Sequence, residues 1–100
     1  MYFMIFAADR PGALEKRLEH RQRHVDYWVA QGDILKVAGA MLSDDGPDAS
    51  AIGSSFLLEA KDEEAVSALL AADPFMIEGI FADNPTIQPV RPALGSWRQD

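Results

Sequence analysis

His24, inside the amphipathic stretch 13–31, and Asp73, at the head of Asp73-Pro74-Phe75-Met76-Ile77, are of the two types that most simply move a proton together. A neutral imidazole exchanges protons near neutral pH, and a carboxylate beside it fixes the ring tautomer and stabilises the charged form. Each residue also has a local duty that asks for no chemistry. A helical histidine at an apolar border can simply pack, and Asp-Pro at a helix start caps backbone donors and suits the first helical turn. Capping and catalysis are compatible, because one carboxylate oxygen can hold the backbone while the other faces a histidine.

Other side chains would complete such a site. At about 100° per residue Arg21 falls within the apolar stripe of the same stretch. A guanidinium there needs a carboxylate or an anionic ligand, unless its stem carries it out to solvent. Arg21 is therefore read as binding a substrate carboxylate or enolate oxygen, or as pairing with Asp73. Gly53-Ser54-Ser55 lacks the flanking glycines of a nucleophile elbow, so Ser54 is a hydroxyl contact for a ligand and not a nucleophile. Gly39, inside an apolar run, signals a bulge or a close approach by another group and joins the substrate-binding set. Met4, Phe6, Trp28, Phe75 and Phe81 are core or pocket wall, with Phe75 placed beside the ligand. His20 and His24 have the spacing of two metal ligands on one helical face, but Arg21 stands where zinc proteases carry an acid. Asp44, Asp45 and Asp48 lack the spacing of a calcium loop and read as a solvated turn. No metal and no cofactor is expected, and no glycine-rich phosphate loop is present.

The elements that must position these groups alternate. Residues 2–7 form a short apolar run closed by Asp9-Arg10-Pro11-Gly12, which predicts a strand and a turn. From Ala13 the period becomes helical, with Leu14, Leu18, Val25, Trp28 and Val29 on the stripe and Gly32 as the stop. Strands are predicted over 34–42 and 54–59, around the polar loop 43–50. Asp62 caps a second helix whose inner side holds Val66, Leu69 and Leu70. Residues 86–90 make the last strand, where Pro89 favours an edge or a bulge. This strand–helix–strand–strand–helix–strand order is the split βαβ arrangement of ferredoxin-like α+β domains, with a four-stranded antiparallel sheet. Two helices cover one sheet face. The other, expected to carry part of Phe3, Ile5, Val37, Phe56 and Leu58, calls for a second copy of the chain, giving a homodimer packed sheet against sheet.

One hundred residues, 48% apolar, make one folded domain, taken as 1–91 with a tail over 92–100. Nine basic against 16 acidic residues leave a net charge of −7, which disfavours nucleic acid and anionic membranes. The absence of cysteine excludes disulfides, thiolate metal sites and cysteine nucleophiles. The opening apolar run is too short for a membrane span and lacks a basic lead, so cytoplasmic residence is expected.

The chain resembles the YCII-related (YciI-like) proteins of the dimeric α+β barrel superfamily over nearly its whole length. The likeness rests on Leu14-Glu15-Lys16-Arg17-Leu18, Arg21 followed by His24, Ala38-Gly39, Gly53-Ser54, and Ala72-Asp73-Pro74-Phe75 with Gly79 beyond. The resemblance implies a ferredoxin-like protomer in a sheet-to-sheet dimer and a pocket holding a His–Asp pair, here His24 and Asp73. Three functions follow as expectations. The leading one is a cofactor-independent isomerase or lyase moving a proton on a small oxygenated or anionic molecule. The second is a non-catalytic metabolite-binding module in which the pair is structural. The third, cofactor-free oxygenase chemistry, has no residue here that marks an oxygen site.

Overall fold

The computed structural model describes residues 1–97. Its elements are β1 (Tyr2–Ala8), α1 (Leu14–Val29), a 3₁₀ turn (Gly32–Ile34), β2 (Leu35–Leu42), β3 (Ala51–Glu59), α2 (Glu63–Ala71), α3 (Pro74–Ile77) and β4 (Thr86–Val90). The strands form one antiparallel sheet in the order β2-β3-β1-β4, so the expected ferredoxin-like arrangement is the observed one. Three residues of the polar loop's far side and strand approach, Ala51 to Gly53, belong to β3, which starts earlier than its hydrophobic run suggests. Pro89 sits on edge strand β4, where its missing N–H is tolerated. The tail predicted from Pro92 has no helix or strand through Trp97, whose ring meets Tyr2 edge-on at 5.4 Å; its last three residues lie outside the described ones.

Because side chains alternate along a strand, pairing register decides which face each residue serves. Phe3, Ile5 and Ala7 point to the helices and are buried with Phe56, Leu58, Val66, Leu70 and Phe75 in one core. Four of the five residues expected near the open face lie elsewhere. Only Val37 stands on it, because Val37 pairs with Leu57 and Leu57 with Met4, whereas Phe56 pairs with the inward Ile5. Met4 and Phe6, expected in the core or a pocket wall, are 41% and 44% exposed on that open face. β1 is apolar on both sides, so alternation alone could not orient it.

Two glycine readings also change. The bulge in β2 falls at Lys36, between the pairs Leu35–Leu58 and Val37–Leu57, and not at Gly39. A side chain at Gly39 would meet nothing within 4 Å. The close approach occurs at Gly53, where a Cβ would lie 2.6 Å from the carbonyl oxygen of Ala7. That contact draws β3 tightly against β1 beside Ser54.

Candidate active site

Arg17, Arg21, His24 and Trp28 follow one another by four, three and four residues, which stacks them on one side of α1. That side faces β2 and β3 across a cleft of about 330 Å³, lined also by Gly39, Ser54, Phe56 and Phe75. A cleft of this size, mostly apolar with a few polar groups, fits a compact organic molecule. A larger hollow of about 610 Å³ beside Met1, Tyr2 and Val90 brings no such polar set together.

Asp73 is where local and tertiary roles meet. It is the N-cap of α3, with Pro74 at the first helical position, and its Oδ1 accepts the Phe75 N–H at 2.9 Å. The fold then brings α1 across this cap. His24 Nδ1 lies 2.8 Å from Oδ1 and 3.0 Å from Oδ2, and Trp28 Nε1–H donates to Oδ2 at 2.7 Å. Asp73 is fully buried, and its charge is met by these three donors. The two residues far apart in sequence are therefore hydrogen-bonded neighbours. Since the aspartate only accepts, Nδ1 carries the hydrogen and Nε2 of the neutral ring holds a lone pair. No hydrogen bond occupies Nε2 among the described residues, and the ring lines the cleft. Phe75 stacks on that ring at 3.9 Å with a 7° interplanar angle, holding it flat against the wall.

The arginine that the fold buries is Arg17, not Arg21. Arg17 Nη1 donates to Asp9 Oδ1 at 2.8 Å, Nη2 donates to Ser54 Oγ at 2.7 Å, and the guanidinium lies 4.7 Å from the Phe75 ring centre. Asp9 is set at the end of β1, where its N–H donates to Ile52 O and it bridges to Phe81. Burial pushes the Asp9 carboxyl up, and the Arg17 charge and hydrogen bond only partly pull it back. Burial likewise pulls the Arg17 guanidinium down against the same partner, so desolvation outweighs pairing on both sides. Asp9 Oδ2 is buried with no hydrogen bond among the described residues.

Arg21 is exposed at the cleft, and it pairs neither with Asp73 nor with any other acid among the described residues. The apolar stripe assigned to α1 is correspondingly thinner than expected, since Leu18 and Val29 are 63% and 71% exposed. Gly39 and Phe75 line the cleft. His20 turns instead toward Arg23 and Glu78, its Nδ1 lying 3.0 Å from Arg23 Nη1. The hydrogen bond from Arg23 holds the Glu78 carboxyl below its ordinary range. Arg17, Trp28 and Asp9 were missed as site residues. Trp28 had a signal, a buried indole N–H that must find an acceptor, and Asp9 had none, because only the tertiary fold places it beneath Arg17.

The ferredoxin-like fold of this chain is that of the dimeric α+β barrel superfamily, to which a similar solved structure also belongs. Within it, the chain belongs to the YCII-related family, whose domain matches residues 1–89. Protein YciI of Escherichia coli O6:H1 is 31% identical over 96 residues, covering 91% of this chain and 97% of its own. An uncharacterised protein of Haemophilus influenzae is 32% identical over 88 residues, covering 83% and 90%. Among solved structures, the chain is similar to 5-chloro-2-hydroxyhydroquinone dehydrochlorinase (TftG) of Burkholderia phenoliruptrix AC1100 in complex with 2,5-dihydroxybenzoquinone. The TM-score is 0.82 at 26% identity, over 99% of this chain and 100% of that one.

Proposed function

We propose that the cleft is the active site of a small acid–base enzyme that moves a proton on a compact oxygenated or anionic molecule, by isomerisation, elimination or another lyase step. The observation that carries this reading is an open imidazole Nε2 on the wall of an apolar cleft, its opposite nitrogen held at 2.8 Å by a fully buried carboxylate. His24 Nε2 takes a proton from a substrate C–H or O–H, and Asp73 stabilises the imidazolium that results. Arg21 offers its charge to the enolate or carboxylate oxygen that develops. In an elimination the C–H electron pair becomes the new double bond, the leaving group departs with its own bonding pair, and His24 returns the proton to solvent. The similar structure named a dehydrochlorinase supports the elimination branch.

His24→Ala tests this. Turnover would be followed on 5-chloro-2-hydroxyhydroquinone and on a panel of small lactones and enols, with a loss of about 10²–10⁴ expected for any molecule the natural protein converts. Unchanged turnover in the variant ends the claim. Ligand binding without conversion at any pH would make the domain a metabolite-binding module instead.

The active form proposed here is a homodimer joined through the open sheet face. Met4, Phe6 and Val37 are 41%, 44% and 62% exposed on that face, and a second copy covering them removes contiguous apolar surface from water.

A further inference from the structure

The hydrogen-bond inventory of the cleft constrains more than the base. Arginine has donors and no acceptor, so in the 2.7 Å contact between Arg17 Nη2 and Ser54 Oγ the serine oxygen must accept. Its own O–H is then left to donate, and no acceptor takes it among the described residues. Ser54 is only 2% exposed, and it lines the cleft. A buried hydroxyl with one accepted bond and one unspent hydrogen is an incomplete site that a ligand oxygen would complete. The guanidinium cannot rotate to release it, because Nη1 is fixed on Asp9 at 2.8 Å.

We infer that Ser54 is a one-way donor, oriented by the Asp9–Arg17 pair, and that this part of the cleft selects a carbonyl or ionised oxygen over a hydroxyl. Arg17 and Asp9 act as positioning residues and Ser54 as the specificity determinant. The inference rests on the cleft being the ligand site proposed above, and it narrows the ligand class. The molecule carries an acidic hydrogen for His24 and a strong acceptor oxygen for Ser54, as keto acids and hydroxyquinones do. Donation from Ser54 is strengthened by the adjacent guanidinium, which polarises the hydroxyl in a low-dielectric setting.

The test measures affinity for two probes under anaerobic conditions. One is 2,5-dihydroxybenzoquinone, which offers ionised and carbonyl oxygens. The other is hydroquinone, whose oxygens all carry hydrogen. The natural protein should prefer the first. Ser54→Ala should weaken the quinone by about tenfold or more while changing hydroquinone little. Arg17→Lys, which keeps a charge for Asp9 but loses the fixed fork, should lower the same ratio with Ser54 intact. A merely structural role would weaken both probes equally and leave the ratio alone. An unchanged ratio in folded Ser54→Ala, or no quinone binding by the natural protein, overturns the inference. A ratio that collapses while no substrate is ever converted spares this inference and removes only the acid–base reading. His24-dependent turnover with an unchanged ratio does the reverse.

Discussion

Replacing Asp73 by asparagine should invert the tautomer of His24. Three donors converge on this carboxylate, Phe75 N–H on Oδ1, Trp28 Nε1–H on Oδ2, and His24 Nδ1–H between them. An amide keeps one acceptor oxygen and puts an NH₂ where the other oxygen stood. In either amide orientation a buried donor, Phe75 N–H or Trp28 Nε1–H, faces that NH₂ and loses its partner, at about 1–3 kcal/mol. The net loss is taken as about 1–2 kcal/mol, the lower part of the cost of one unpaired buried donor. For a chain of this size that corresponds to a Tm lower by about 5–15 °C. His24 alone can adapt, by moving its hydrogen to Nε2 so that Nδ1 accepts from the amide. The lone pair facing the cleft is then gone, and turnover should fall by about 10²–10⁴ although the imidazole is still present. Nitrogen chemical shifts of ¹⁵N-labelled histidine distinguish the two tautomers without any substrate. A variant that keeps the Nδ1–H form and the natural Tm would refute the geometric argument.

Three further outcomes are expected. Burial raises the Asp9 carboxyl above its ordinary 3.8, so the folded state binds the proton more tightly than the unfolded one. Stability contributed by this group is therefore present at low pH and lost as pH rises through the window above 3.8. The Tm of the natural protein minus that of Asp9→Asn should shrink across that window, and a difference that grows with pH contradicts the assignment. Gly53→Ala should cost about 1–3 kcal/mol in urea unfolding, because its Cβ would sit 2.6 Å from a backbone oxygen that cannot yield. Gly39→Ala, with nothing within 4 Å, should be close to neutral, and equal costs for the two would discredit the packing account. Light scattering should give twice the 11.0 kDa chain mass for the natural protein and the single mass for Phe6→Asp, whereas a natural monomer removes the proposed dimer.

The order of strands and helices was legible in the residues because its signals are local. Hydrophobic period changes at Ala13, Asp-Pro opens a helix wherever it stands, and Gly32 takes a φ of +68° that ends α1. The placement of His24 beside Arg17, Arg21 and Trp28 followed from helical geometry alone, and Asp73 was marked by its cap. What those signals could not carry is contact between elements. Arg17 and Arg21 lie one helical turn apart and look equivalent in a sequence; only the arrival of Asp9 at the end of β1 and Ser54 on β3 makes one a buried ion pair and leaves the other at the cleft mouth. The two faces of β1 are both apolar, so pairing with β3 decided that Phe3 and Ile5 go inward and Met4 and Phe6 outward. Local periodicity thus determined the elements and the chemical types they carry. Tertiary packing decided which of those groups meet, because hydrogen bonding and desolvation act over a few ångströms of space and take no account of distance along the chain.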